Sequence, residues 1–240
     1  MYPKEFKELV ERGLQDNFYV GTGNPNAKIL LVGKEAAKGA DYRLEKGAFV
    51  DNAKTWKKHF EENTTPSYSF MPEINILRKS GNPWRAYQTL QSIIYDNPID
   101  YKDRENCMKI DFLENIFTTE MSDVTEVKKL LKQEQFALKL RLDKRINTFL
   151  NTDFIKQFPI VLLVCGKYIS NEPEHHIENI FNVKFFTTES KYPPFDTYYN
   201  ENRTKLVIHS PQLSGAVYNH VLERMGEIIR KFMLKNEMIS

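Results

Sequence analysis

Residues 160–166 read Ile-Val-Leu-Leu-Val-Cys-Gly, a short apolar run that follows Pro159 and ends at a glycine. A run of this length without polar alternation is typical of a strand that is buried on both faces of a parallel sheet. Residues 27–33, Ala-Lys-Ile-Leu-Leu-Val-Gly, form a second such run after the turn-forming segment 21–26. The two runs predict central strands of an α/β protein.

Weaker strands and amphipathic helices alternate with these two runs. We expect further strands at residues 113–118, 183–186 and 205–209. Apolar residues at helical spacing predict helices at residues 4–14, 52–60, 84–95, 124–158 (interrupted near residues 151–153) and 215–234. Strands that alternate with helices indicate an α/β three-layer sandwich with a central, mostly parallel sheet.

The composition excludes several classes of protein. The 240 residues carry 34 Lys and Arg against 32 Asp and Glu, and 41% are hydrophobic, which fits one domain with a sizeable core. No apolar run approaches the roughly 20 residues that span a bilayer, and residues 1–7 lack the apolar segment of a signal peptide. We therefore expect a soluble, cytoplasmic monomer without a membrane partner.

The residues that bind metals are few and scattered. Cys107 and Cys165 are too few for a disulfide framework or a four-thiolate metal site. His175 and His176 lie between two glutamates, but adjacent histidines diverge on a helix and no third ligand is in register. We therefore expect no metal and no other cofactor.

Polar residues follow three of the predicted strands. In α/β folds, ligands bind at the carboxyl ends of the parallel strands. Lys34 and Glu35 follow the first strand, Asn115 lies in the second strand segment, and His209 ends the last one. These residues are therefore the first candidates for a functional site.

Five segments, taken in order, resemble motifs of the uracil-DNA glycosylase superfamily. They are residues 19–35 (Tyr-Val-Gly-Thr-Gly-Asn-Pro-Asn, then a strand and Gly-Lys-Glu), 47–53 (Gly-Ala-Phe-Val-Asp-Asn-Ala), 113–117 (Leu-Glu-Asn-Ile-Phe), 153–166 (a helix, a proline and a strand) and 206–214 (Leu-Val-Ile-His-Ser-Pro-Gln-Leu-Ser). The resemblance implies one uracil-DNA glycosylase-like domain over residues 1–240. It also implies a helical insertion at about residues 54–110, because the stretch between the second and third motifs is longer than in the family. Two cysteines cannot hold the iron–sulfur cluster that the most similar branch carries.

The resemblance also implies catalytic roles for two residues. Cleaving an N-glycosidic bond leaves positive charge on the sugar and negative charge on the departing base. Glu35 would orient the attacking water and stabilise the sugar cation, and His209 would donate a hydrogen bond to the base carbonyl. Alternatively, Glu35 is a capping or surface carboxylate, and His209 is satisfied by backbone groups at a strand end.

The remaining site residues would bind the substrate. Phe49 would stack on a flipped-out base, and Asn115 would pair with its Watson–Crick edge. Phe49 is alternatively a core residue, and Asn115 alternatively bonds its own backbone. Other expected substrate-binding residues line the loops after the first and last strands: Gly33, Lys34, Ser210, Gln212 and Ser214. Ser214 is alternatively an ordinary helix N-cap.

Two further segments allow more than one interpretation. The aromatic segment 192–199 is expected to be a loop that lines a substrate groove, packs on the surface or forms a dimer contact. Residues 123–146 are rich in Lys and Arg, and we interpret them as a solvated helix face, with a phosphate-contacting stripe as the alternative.

The sequence thus predicts a DNA glycosylase-like protein that hydrolyses the bond between the sugar and a uracil or related damaged base, with DNA as its partner. An alternative from another class is a catalytically inactive module that binds nucleic acid or nucleotides on the same fold. A third possibility is an unrelated Rossmann-like hydrolase or transferase acting on a small molecule. A structure that separates Glu35, Asn115 and His209 would favour this third possibility.

Overall fold

The computed structural model describes residues 2–34, 52–62, 83–97, 99, 111–122, 132–190, 193–213 and 219–239. Three of the predicted site residues, Glu35, Phe49 and Ser214, lie outside these ranges. Their predicted roles therefore remain predictions.

The described residues form an α/β protein around one mixed sheet of seven strands. The strands are β1 (Thr22–Gly23), β2 (Ile29–Gly33), β3 (Ile116–Glu120), β4 (Ile160–Leu163), β5 (Lys184–Glu189), β6 (Phe195–Tyr199) and β7 (Leu206–His209). Their order across the sheet is β1-β3-β2-β4-β7-β6-β5. Strands β3, β2, β4 and β7 are mutually parallel, whereas β1, β6 and β5 join antiparallel at the two sides. The predicted α/β class with a mostly parallel centre is confirmed.

The two apolar runs form adjacent central strands, as expected. In β2, Ile29 and Leu31 face one side of the sheet, while Leu30 and Val32 face the other, and all four side chains are fully buried. Strand β4 lies beside β2 and is equally buried. Both faces therefore need a covering layer of helices.

Helices cover both faces of the sheet. The helices are α1 (Lys4–Asp16), α2 (Asn52–Glu62), α3 (Pro83–Ile94), α4 (Phe112–Asn115), α5 (Lys132–Lys144), α6 (Asp153–Lys156), α7 (His176–Phe181) and α8 (Asn219–Lys235), with a π-helix at Arg145–Leu150 and a 3₁₀ turn at Gly166–Tyr168. Apolar residues of α1, α2, the π-helix, α6 and α7 pack on one face. Those of α3 and α8 pack on the opposite face. No helix within the described ranges combines the length and apolarity needed to cross a membrane.

The second predicted strand begins later than expected. Residues 113–115 belong to the short helix α4, and the strand runs from Ile116 to Glu120. The cause is Gln88, whose Oε1 accepts the backbone N–H groups of Asp111 (3.0 Å) and Phe112 (3.1 Å). These bonds fix the chain in a turn before it enters the sheet.

Two other predictions need correction. The helix expected at residues 124–158 is described from residue 132 onward. There α5 continues directly into the π-helix, and α6 follows after an interruption at the expected place. Within the segment 192–199, expected to be a loop, Phe195–Tyr199 form strand β6, because they pair with β7 on one side and β5 on the other.

Candidate ligand site at the carboxyl edge of the sheet

Four parallel strands end together at one edge of the sheet. Gly33 of β2 pairs with Glu120 of β3, and Leu163 of β4 pairs with His209 of β7. Strands lie about 4.8 Å apart, so the edge from β3 to β7 is about 14 Å wide. Lys34 follows β2 directly and therefore lies at the same edge.

Gly33 makes room for the carboxylate of Glu120. A Cβ placed on Gly33 would lie 2.1 Å from Glu120 Oε2, which is far inside van der Waals contact. Gly33 was expected to contact the substrate, and in the structure it lies under a carboxylate that the sequence analysis did not single out. A larger residue at position 33 would therefore displace the Glu120 carboxylate from its present place.

The Glu120 carboxylate has three titratable neighbours. Burial, and secondarily the negative charge of Glu120, raises the pKa of Tyr19, Tyr87 and Cys165. All three groups are therefore neutral near pH 7, and each carries a hydrogen-bond donor. Glu120 thus lies at the end of the parallel strands among neutral groups that can donate hydrogen bonds.

Helix α2 fixes the segment that follows Tyr19. Asn52 Oδ1 accepts the backbone N–H groups of Val20 (3.0 Å) and Gly21 (3.1 Å). Gly21 O in turn accepts hydrogen bonds from Asn52 Nδ2 (2.9 Å) and Trp56 Nε1 (2.8 Å). These four buried bonds hold the chain that brings Tyr19 to the site.

His209 bonds to the backbone of the loop after β4. Its Nε2 lies 2.9 Å from Gly166 O, and a carbonyl can only accept, so Nε2 carries the proton and donates it. The structure therefore agrees with the alternative interpretation, in which a backbone group satisfies the hydrogen bonding of His209. A hydrogen bond from His209 to a ligand would have to come from Nδ1 of a protonated ring.

The loops after β4 and β7 are joined at this point. Gly166 N–H donates to Ser210 O at 3.0 Å, and Gly166 adopts φ +55°, a left-handed conformation that favours glycine. The buried Ser210 donates its hydroxyl to Pro211 O at 2.9 Å. Gln212 follows in the same segment and is partly exposed.

Lys34 supplies positive charge at this edge. Its Nζ lies 4.7 Å from the centroid of the Tyr168 ring, a cation–π distance. Lys34 O accepts the backbone N–H of Ser122 at 3.0 Å, so the chain after β2 remains paired with the chain after β3. The cation is thereby held between the ends of β3 and β4.

Asn115 lies at the opposite, amino end of the parallel strands, so the structure separates it from the carboxyl edge. It precedes Ile116, which pairs with the first residue of β2. Asn115 and Glu120 are five positions apart, or about 16 Å along a strand. Glu120 is the residue that β3 presents at the carboxyl edge.

The carboxyl edge thus brings together Gly33, Lys34, His209 and Ser210 from the predicted set, and Glu120 from outside it. The missed signal is the run Ile-Phe-Thr-Thr at residues 116–119, whose β-branched and aromatic residues are typical of a strand and end at an acid. Among the described residues, no group of three or more His, Cys, Asp and Glu is arranged to hold a metal ion.

Comparison with models of protein families, with curated proteins and with solved structures finds no significant match to this chain. The likeness to uracil-DNA glycosylases rests on the five sequence motifs. The function is therefore argued from the site.

Proposed function

We propose that this chain is a uracil-DNA glycosylase-like protein that binds a base flipped out of DNA at the carboxyl edge and hydrolyses its N-glycosidic bond. The observation that carries the proposal is that Lys34, Glu120 and His209 all lie at the carboxyl edge, where each ends or follows a different parallel strand. The order of the five motifs supports it independently.

The reaction breaks the bond between the sugar carbon and the base nitrogen. The bonding electron pair leaves with the base, the oxygen of water bonds to the sugar carbon, and the proton of that water neutralises the base. Glu35, two residues beyond the end of β2, is proposed to orient the water and stabilise the sugar cation. Lys34 supplies positive charge at the same edge, where charge on the departing base would develop.

Glu120 takes the base-binding role that Asn115 cannot fill. A carboxylate only accepts hydrogen bonds, so Glu120 would pair with N–H groups on the Watson–Crick edge of a base. Uracil offers one such group at N3, and amino-bearing bases offer more. This role favours bases with an exposed N–H donor.

Base release from oligonucleotides tests the proposal. Single- and double-stranded substrates would contain uracil, hypoxanthine, xanthine or hydroxymethyluracil. We expect release by the wild type and a fall of about 100-fold or more in Glu35→Ala and Glu120→Gln. Asn115→Ala is the matched control and should retain full activity, because Asn115 lies at the other edge.

Two results would contradict the proposal. One is the absence of release from every substrate by the wild-type protein. The other is an Asn115→Ala variant that loses as much activity as Glu120→Gln, since the carboxyl edge would then not be the site.

A catalytically inactive nucleic-acid or nucleotide-binding module is the second candidate. It is favoured by the bond from His209 Nε2 to Gly166 O, which already uses the donor that a departing base would need. Saturable binding of oligonucleotides without base release would support this candidate. Failure to bind any nucleic acid or nucleotide would reject it.

The separation of Asn115 from His209 also favours the third candidate, a Rossmann-like hydrolase or transferase acting on a small molecule. This candidate predicts that a small metabolite binds at the carboxyl edge and thereby raises the melting temperature of the protein. Glu120→Gln should then abolish the shift, and oligonucleotides should produce none.

A further inference from the structure

A second concave site opens beside the carboxyl edge. It is a cleft of about 80 Å³ between the end of α1 and the junction of α5 with the π-helix. We call it the basic cleft, defined by Asn17, Phe18, Met121, Arg141, Lys144 and Arg145. Met121 directly follows Glu120, so the basic cleft adjoins the candidate ligand site.

The helix geometry brings three cations to this cleft. Arg141, Lys144 and Arg145 are spaced i, i+3 and i+4, so they share one face across the end of α5. The chain continues as a π-helix from Arg145 to Leu150. Segments of π-helix are rare and occur frequently at functional sites.

Arg145 is held rigidly inside the cleft. Its Nε donates to Glu120 O (3.1 Å), and its Nη2 donates to Thr119 Oγ1 (2.8 Å). The guanidinium carbon lies 3.3 Å from the centroid of the Phe149 ring. The side chain is only 7% exposed, so little further entropy is lost when a ligand binds to it.

The other two basic residues of the cleft lie at the surface. Arg141 and Lys144 are exposed, and Lys144 forms no ion pair with any residue in the described ranges. Among the described residues that line the cleft, Arg141, Lys144 and Arg145 are basic and Asp16 is acidic, so basic residues predominate. Such an excess favours an anion.

We propose that the basic cleft binds a phosphate group. Its volume of about 80 Å³ is well below the roughly 300–1,000 Å³ of small-molecule pockets, so it suits a small anionic group. Arginine suits this ligand because its planar donors match phosphate oxygens. The proposal needs no base release, so it goes beyond the proposed function. The phosphate belongs either to a nucleic-acid strand that crosses the carboxyl edge or to a small phosphorylated ligand.

Two probes distinguish these sources. Binding of inorganic phosphate is measured by calorimetry, and binding of a fluorescein-labelled single-stranded oligonucleotide is measured by fluorescence anisotropy. The test variant is R141A/K144A, which alters exposed side chains and leaves Arg145 and the core intact. The matched control is K231A/K235A, which removes the same charge from the exposed surface of α8. Melting temperatures of both variants establish that they fold.

We expect R141A/K144A to bind the probe at least about tenfold more weakly, while K231A/K235A binds nearly as the wild type does. For the oligonucleotide, the slope of log K against log salt should fall by about 0.7, the value for one lost phosphate contact on a single strand. An effect on the oligonucleotide assigns the phosphate to a strand. An effect on inorganic phosphate alone assigns it to a small ligand.

The proposal is overturned if R141A/K144A binds both probes as tightly as the wild type. It is also overturned if K231A/K235A loses as much affinity, because net charge rather than the basic cleft would then determine binding. Neither result depends on base release, so failure here is distinguishable from failure of the proposed function.

Discussion

Lys205 shows how a single side chain can oppose folding at neutral pH. It precedes β7, is partly buried and donates a hydrogen bond from Nζ to Lys156 O. Burial, and secondarily the charge of Lys156, lowers the pKa of Lys205 from 10.5 to about 8. The fold therefore disfavours the charged amine.

We predict that the loss of stability caused by burying the charged Lys205 amine disappears as the pH rises. Between about pH 8 and 10.5 the unfolded chain binds more protons at Lys205 than the folded chain, so stability increases with pH. The free energy of unfolding of the wild type, measured by urea denaturation, should rise by about 1–3 kcal/mol relative to Lys205→Met over this range, allowing for partial exposure. Lys231→Met on the exposed surface of α8 is the control and should show no such trend. A wild-type minus Lys205→Met difference that is constant with pH would contradict the assignment.

The site residues differ in how far the sequence reveals them. Lys34 and His209 could be predicted because each follows or ends an apolar run whose length already indicates a strand. Glu120 could not, because Leu113 extends the apolar pattern backward and moves the predicted strand by three residues. The hydrogen bonds that set the true start of the strand run from the backbone N–H groups of Asp111 and Phe112 to Gln88 Oε1, which is far away in sequence.

Helices α3 and α8 approach closely through a glycine. A Cβ on Gly226 would lie 2.5 Å from Ile93 Cγ2, although helix propensity alone favours alanine there. Two helices that cover one face of the sheet are therefore packed closer than side chains normally permit. The glycine at position 226 is therefore explained by the packing of these two helices and not by its own backbone conformation.

We predict that Gly226→Ala destabilises the protein by about 1–2 kcal/mol, because overpacking outweighs the gain in propensity. In a chain of this size, thermal unfolding should register a fall of about 2–8 °C. Gly226→Ala should cost less stability when it is added to an Ile93→Ala variant than when it is added to the wild type. Glu223→Ala, at an exposed position of α8, is the control and should have little effect. Equal losses with and without Ile93 would show that the close approach is not the cause.

Elements are predictable where local composition determines them. Strands β2 and β4 were expected because unbroken apolar runs fit only the centre of a covered sheet. The π-helix was not expected, since residues 145–150 have ordinary helical composition and Arg145 bonds to β3, which is remote in sequence. Strand β6 was missed because two prolines precede it in an aromatic segment that is typical of a loop.

Across the whole molecule, the sheet is unevenly protected. Strands β2 and β4 are buried on both faces and paired on both sides, whereas β5 is an edge strand with Phe185 and Phe186 more than half exposed. Glu178 covers part of that edge, since its Oε1 accepts the Phe185 N–H at 2.9 Å, which lowers the pKa of Glu178. Local unfolding of the sheet should therefore begin at β5.

We predict that amide hydrogen exchange follows this gradient. Amides of β2 and β4 should exchange only through global unfolding, and those of β5 through cheaper local opening. Phe185 should be the slowest amide of β5, and Glu178→Ala should accelerate it while leaving β4 unchanged. Exchange of β5 as slow as that of β4 would contradict this order of stability.

The carboxyl edge draws its side chains from strands that are widely separated along the chain. Lys34, Glu120, Gly166 and His209 each follow or end a different strand, and more than 40 residues separate each from the next along the chain. A recombination event that introduced any one segment would therefore transfer at most one of these groups. The site can be inherited only together with the whole central sheet, so selection on the ligand and selection on the fold act on the same unit.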